Sequence, residues 1–163
     1  MSKFGDAFQR GQEAYQSAER AKAEIQDVFR TLSADIEQQT HGLVSTSVMR
    51  FTHPGKIFGP AVMGPGLTTM MPLANTYDAL VAVAKDERPV ELCTVKGGPY
   101  GYPVTLTFPG HSVAAHDRES LEEALVGVLA HPEVAGKLKL AMESARVGGA
   151  SLPTAVPAPS REQ

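Results

Sequence analysis

The sequence predicts an α+β fold in which a long N-terminal helix and a C-terminal helix pair pack on a mainly antiparallel sheet of about three to five strands. Three patterns predict it: a heptad repeat at the N-terminus, a period of two between residues 90 and 116, and a helical period after residue 117. Helices with one apolar stripe bury it by covering the apolar face of a sheet. We therefore expect a two-layer sandwich, with residues 1–146 as a single domain and 147–163 as a flexible tail.

Composition places the chain among ordinary globular proteins. It has 163 residues, 42% of them apolar and 20% charged, and a net charge of −3. The charges are spread evenly, which argues against tight phosphate-driven binding of nucleic acid. Cys93 is the single cysteine, so no intrachain disulfide can form, and the N-terminus lacks the apolar segment of a signal peptide. These features predict a cytoplasmic protein, and no run approaches the ~20 apolar residues of a membrane span.

The N-terminal helix is predicted over residues 4–39, because apolar residues recur there at alternating spacings of four and three. Such a helix is roughly 50 Å long, whereas a strand of ordinary length spans only ~17 Å. The residues at these spacings form one stripe along the helix, which we call the seam. Part of the seam should therefore meet the C-terminal helices or a second copy of the chain. Lys22, at a core heptad position, would then set the register of a homodimer. The residues expected in self-association are Phe4, Phe8, Tyr15, Lys22, Ile25 and Phe29.

Small residues line the same seam and would allow a second helix to approach closely. They are Ala7, Gly11, Ala14, Ala18 and Ala21.

Residues 43–52 predict a strand, because they are rich in Val, Thr and Ser and lie between Gly42 and Pro54. From 54 to 74, proline and glycine are too dense for a helix or a central strand, and leave room for one short strand at 67–71. The segment either covers the sheet or presents an adaptable apolar surface, for which methionine is well suited. The candidate partner contacts are Ile57, Phe58, Met63, Met70 and Met71.

Residues 75–85 fit two structures. Asn75 could cap a helix with Tyr77, Leu80 and Ala84 on one face, or the apolar run 79–84 could form a buried strand. Asp78 in the first turn and Lys85 in the last would suit the helix dipole. We therefore expect a helix here.

Residues 90–116 predict a three-stranded antiparallel meander. Residues 90–95 form the first strand, 96–101 a turn, 102–108 a strand with alternating apolar side chains, and 111–116 the return strand. Asp117 is then expected to cap a helix that ends at His131, and Pro132 to begin a second helix that stops at Gly148.

No motif in the chain names a reaction. Its histidines (His41, His53, His111, His116 and His131) lack the spacing of a metal pair, and Cys93 is expected to be a buried, inert thiol. Lys96, Gly97 and Gly98 are explained by a hairpin turn and lack the pattern of a phosphate-binding loop. The sequence therefore predicts no catalytic residues, no metal and no cofactor.

The leading hypothesis is a non-enzymatic protein–protein interaction module of the adaptor, scaffold, chaperone or inhibitor type, which self-associates through its N-terminal helix. One alternative is a small enzyme or ligand-binding module with His111, His116 or Cys93 in a cleft between sheet and helices. Another is a nucleic-acid-binding dimer that uses Arg10, Arg20 and Arg30, which share one face of the first helix. No membrane partner is expected.

The predicted order of elements is similar to that of two kinds of small dimer. One is the Roadblock type of scaffold, with its helix, two strands, helix, three strands and helix. The other is a family of nucleoid-associated dimers with a long N-terminal helix, a three-stranded sheet and a C-terminal helix. The similarity concerns order alone, which does not give function.

Overall fold

The computed structural model describes residues 2–52, 76–85 and 87–148. It confirms the predicted α+β arrangement of a long N-terminal helix, an antiparallel sheet and two C-terminal helices. The elements, in chain order, are α1 (Lys3–Gln39), β1 (Val44–Thr52), β2 (Thr76–Ala84), β3 (Val90–Gly98), β4 (Gly101–Phe108), β5 (His111–Ala115), α2 (Arg118–Ala130) and α3 (Pro132–Gly148).

The strands lie in the sheet in chain order, β1-β2-β3-β4-β5, and every neighbouring pair is antiparallel. Tight turns make this possible, because two residues, Pro99 and Tyr100, join β3 to β4, and Pro109 and Gly110 join β4 to β5. The predicted turn at 96–101 is thus too long. β3 continues through Gly98, which pairs with Gly101 across the hairpin.

The prediction of a helix at 75–85 is wrong, because this segment is strand β2, paired with β1 along its whole length. Four consecutive residues from Ala79 to Ala82 are at most 1% exposed, which suits an inner strand with a neighbour on each side rather than a helix with one apolar stripe. Asp78 does not serve a helix dipole. It accepts hydrogen bonds from Arg50, directly opposite on β1, at 2.8 and 3.2 Å. The element order therefore departs from that of Roadblock-type scaffolds.

The core lies between the sheet and the three helices, in the two-layer arrangement that the sequence predicts. The second half of α1 packs on β1 and β4, α2 on β4 and β5, and α3 mainly on β2 and β3. Each helix contributes nearly inaccessible side chains to this core, among them Val28 of α1, Leu121 and Val128 of α2 and Val134 of α3. Burial of such aliphatic side chains is the main force that holds the layers together.

The ends of the C-terminal helices follow the predicted signals. Asp117 and Ser120 form a capping box at the start of α2, in which the Ser120 N–H donates to Asp117 Oδ1 at 2.8 Å. His131 is the C-terminal cap of α2, and Pro132 begins α3. No helix in the described ranges is long and apolar enough to cross a membrane.

Some predictions fall on residues that the structure does not describe. These are the short strand at 67–71, residues 149–163 of the tail predicted at 147–163, and the candidate partner contacts Ile57, Phe58, Met63, Met70 and Met71. Residues 147 and 148 of that predicted tail belong to α3.

Candidate interaction surface

Helix α1 is buried in its second half and exposed in its first. Every residue from 3 to 17 is exposed, and Ala18, at 7%, is the first buried residue of the helix. At 1.5 Å per residue, this exposed stretch is about 22 Å long. We call residues 3–17 the overhang, since they extend the helix beyond the part that packs on the sheet.

Local interactions favour a helix in the overhang but are weak. The Phe4 N–H donates to the Ser2 side chain at 3.4 Å, and Gln9 Nε2 donates to Glu13 one turn later at 3.3 Å. Side-chain pairs of this kind contribute only about 0.2–0.5 kcal/mol each, whereas Gly5 and Gly11 each cost about 1 kcal/mol relative to alanine. An end of a helix that packs on nothing frays in water, because it lacks the tertiary contacts that supply most helical stability. The overhang therefore gains most if its apolar stripe is covered.

That stripe carries large aromatic side chains. Phe4 is 87% exposed, and Phe8 and Tyr15 are each 67% exposed. Further along the same heptad seam, Ile25 and Phe29 are half-buried and pack against the core between α1 and the sheet. The second half of the seam thus packs against the core, and its first half is exposed to solvent. Contiguous exposed aromatic residues are typical of interaction sites.

The sheet ends under α1 at Gly101. This glycine has a φ of +107°, and a Cβ built on it would lie 2.7 Å from Ala21 Cβ. Lys22, one residue further on, pairs with Glu19 at 3.1 Å. The close approach of Gly101 to Ala21 anchors the helix, so residues before this point leave the edge of the sheet.

Two hollows open on the seam of the overhang, both beside Gly11, which has no side chain to fill them. The first is lined by Phe8, Gly11, Gln12, Tyr15 and Gln16. The second, an open groove of about 780 Å³, continues from the helix to the β3–β4 turn. Its helix side includes Gly11, Ala14, Tyr15 and Ala18, and its turn side includes Pro99 and Tyr100.

The β3–β4 turn adds an aromatic residue that sequence reasoning missed. Tyr100 is 74% exposed and lines the second hollow. The available signal was an aromatic residue in a Gly-Gly-Pro-Tyr-Gly turn at residues 97–101, where a side chain has no strand neighbour to cover it.

The residues of the enzyme hypothesis lie in different environments. Cys93 is buried in β3, and this burial raises the pKa of its thiol to about 11. His111 begins the edge strand β5 and His116 follows its last residue, and both are exposed. His111 stacks on Phe108 with ring centroids 5.2 Å apart. Within the described ranges, no group of three or more His, Cys, Asp or Glu residues could hold a metal ion.

The arginines of the nucleic-acid hypothesis are exposed but have acidic neighbours. Arg30 forms an ion pair with Asp27, and Arg10 Nε donates to the backbone oxygen of Asp6 at 3.3 Å. The nearby Arg30 guanidinium lowers the pKa of the Asp27 carboxyl, with Arg118 as a second cation beside it. Mixed charge of this kind weakens attraction to a phosphate backbone.

No protein-family model, curated protein or solved structure matches this chain. The features of the chain that bear on its function are therefore the overhang, its aromatic side chains and its hollows.

Proposed function

We propose that this protein is a non-enzymatic protein–protein interaction module, of the adaptor, scaffold, chaperone or inhibitor type, that forms a homodimer through the overhang of α1. One observation carries the proposal. Phe4, Phe8 and Tyr15 are 67–87% exposed on a part of the helix that leaves the sheet. Pairing of two copies through this stripe would bury the exposed aromatic side chains of both, since each copy supplies an apolar surface for the other.

The area available is compatible with a specific dimer. An aromatic side chain buries roughly 150–250 Å². With their observed exposures, the three side chains of two copies therefore offer on the order of 700–1,100 Å². Specific interfaces begin near about 1,000 Å², and Tyr100 and the small residues of the seam add to the total. We expect a dimer of moderate affinity.

The buried thiol of Cys93 does not favour the alternative in which it serves as a catalytic nucleophile. A thiol with a pKa of about 11, as Cys93 has, is protonated at neutral pH and is a poor nucleophile. A free, reduced cysteine also fits the proposed location in the cytoplasm. Ile57, Phe58, Met63, Met70 and Met71 remain the expected contacts for a second, different protein.

The test is the solution mass of the full-length chain and two variants, measured by light scattering during size-exclusion chromatography. Phe8→Glu places a charge in the seam, and Gln9→Glu places the same charge on the neighbouring outward position. We expect Gln9→Glu to keep twice the chain mass of 17.3 kDa and Phe8→Glu to fall to a single chain mass. Equal masses for the two variants would contradict self-association through the seam.

A further inference from the structure

We propose that a second copy of this chain lies antiparallel on the overhang, in the register that places Phe8 of each copy opposite Gly11 of the other. This inference rests on the proposed function and adds the direction and register of the pairing. It follows from the two hollows, the extent of the overhang and the distribution of charge along it.

In an antiparallel pair of identical helices, the numbers of two residues that face each other, one from each copy, always have the same sum. If Phe8 faces Gly11, then Phe4 faces Tyr15, and residue 3 faces residue 16. The paired stretch is therefore residues 3–16, which nearly coincides with the exposed residues 3–17 and ends before the buried Ala18. The dimer contact would begin where the contact with the sheet stops.

The hollows have the shape that this register requires. In coiled-coil packing, a side chain inserts into a hole formed by four residues at positions i, i+3, i+4 and i+7 of the facing helix. The first hollow is lined by such a set, namely residues 8, 11, 12 and 15. Phe8 of the second copy lies over this set when it faces Gly11. Because the pair is symmetric, both copies have this hollow filled.

The second hollow receives the other phenylalanine. Residues 11, 14, 15 and 18 again have the spacing i, i+3, i+4 and i+7, and they lie on the helix side of the groove, which continues along the helix to residue 22. Phe4 of the second copy lies over this set when it faces Tyr15. The turn residues Pro99 and Tyr100, on the other side of the groove, extend the apolar surface around that ring.

The charges of the overhang do not oppose this contact. Heptad positions on and beside the seam hold uncharged residues from Phe4 to Tyr15, including Gly5, Ala7, Gln12 and Ala14. The charged residues of the overhang (Lys3, Asp6, Arg10 and Glu13) occupy the outward positions, where they stay in water. No charge within the paired stretch therefore has to be desolvated. Glu19 and Lys22, which also line the second hollow, form an ion pair with each other.

Neighbouring registers fit less well. A shift of one heptad toward the sheet places Phe4 opposite Lys22, next to Ala21, where Gly101 at the start of β4 already lies against the helix. A shift the other way pairs Phe4 with Phe8 and leaves an overlap of only residues 3–9. Parallel pairing would place Gly11 opposite Gly11 and leave a gap there, which forfeits contact energy.

The test measures distances between spin labels in the full-length dimer. Glu13→Cys and Arg20→Cys each carry one nitroxide at an outward heptad position, away from the seam. In the proposed register, equivalent residues are displaced along the helix axis by about 10 Å at position 13 and about 32 Å at position 20. The unmodified chain is the control for labelling of the buried Cys93.

We expect the label distance at position 20 to exceed that at position 13 by more than about 10 Å, given this axial displacement. Equal distances would indicate parallel pairing and overturn the inference while leaving self-association intact. A heptad shift would change the axial displacement by about 10 Å at both positions and overturn the register. A single chain mass in light scattering, with no dipolar coupling between labels, would overturn the proposed function as well.

Discussion

Gly101 and Ala21 fix the point where α1 leaves the sheet, so Gly101→Ala should destabilise the protein strongly. The glycine has a φ of +107°, a conformation that L side chains rarely adopt. Its added Cβ would also lie 2.7 Å from Ala21 Cβ, closer than two carbon atoms can pack. Either the helix moves away from β4 or the turn distorts.

The expected magnitude combines two effects. Backbone strain at such a φ costs about 1–3 kcal/mol, and overpacking against a helix costs typically about 1–3 kcal/mol. The free energy of unfolding should therefore fall by about 2–6 kcal/mol. For a chain of 163 residues, each kcal/mol lowers Tm by about 2–4 °C, so Tm should fall by roughly 4–24 °C.

Denaturant unfolding at one protein concentration tests this expectation, with two further variants as controls. Gly110→Ala, at φ +74° with no atom near the added Cβ, introduces strain alone and should cost roughly 1–2 kcal/mol. Ala21→Gly removes the clashing atom, so the double variant should recover about 1–3 kcal/mol relative to the sum of the single changes. Additive costs within about 0.5 kcal/mol would refute the close contact between Gly101 and Ala21.

Further predictions concern the dimer, the thiol and a helix cap. Phe4→Lys and Tyr15→Glu chains should each stay monomeric alone but should form a heterodimer when mixed, as measured by native mass spectrometry. In the mixed dimer the new lysine faces the new glutamate, and the second contact between Phe4 and Tyr15 is unchanged. Cys93 should react with a maleimide at pH 7 only after denaturant is added, because burial raises its pKa to about 11; rapid labelling of the native chain would contradict this. Asp117→Ala should lower Tm at pH 7 because it removes the cap of α2. The hydrogen bonds from Ser120 lower the Asp117 pKa, so this contribution is present above the unfolded pKa of about 3.9 and lost as pH falls through the folded value. A Tm deficit that persists unchanged at lower pH would contradict the assignment.

Sequence patterns with a clear period predicted their elements correctly, whereas the segment 75–85, which has none, was predicted as a helix and is a strand. The alternation at 102–108 and the Asp117 cap signal led to the correct elements. The run from Ala79 to Ala84 has no period, because every residue in it is apolar. Such a run suits a buried strand and a buried helix equally. Its place between β1 and β3 decided the outcome, and that place depends on residues far away in the chain.

The seam predicted the aromatic residues of the overhang but not where the overhang begins. Phe8 and Phe29 stand at equivalent heptad positions, yet Phe8 is exposed and Phe29 packs on the core. The difference is set by Gly101, which lies some 80 residues later in the sequence and touches α1 at Ala21. A local pattern shows that a face is apolar, whereas only the tertiary structure shows what covers it.

The most direct test of self-association through the overhang is amide hydrogen exchange at several protein concentrations. A free overhang is a marginal helix whose amides exchange quickly, and a paired one is protected. We expect exchange of the amides in residues 5–17 to slow by at least about ten-fold as the concentration rises through the dimer Kd, while Leu125 in the core of α2 stays unchanged. Exchange in residues 5–17 that does not depend on concentration, in a chain that is monomeric throughout, would contradict the account.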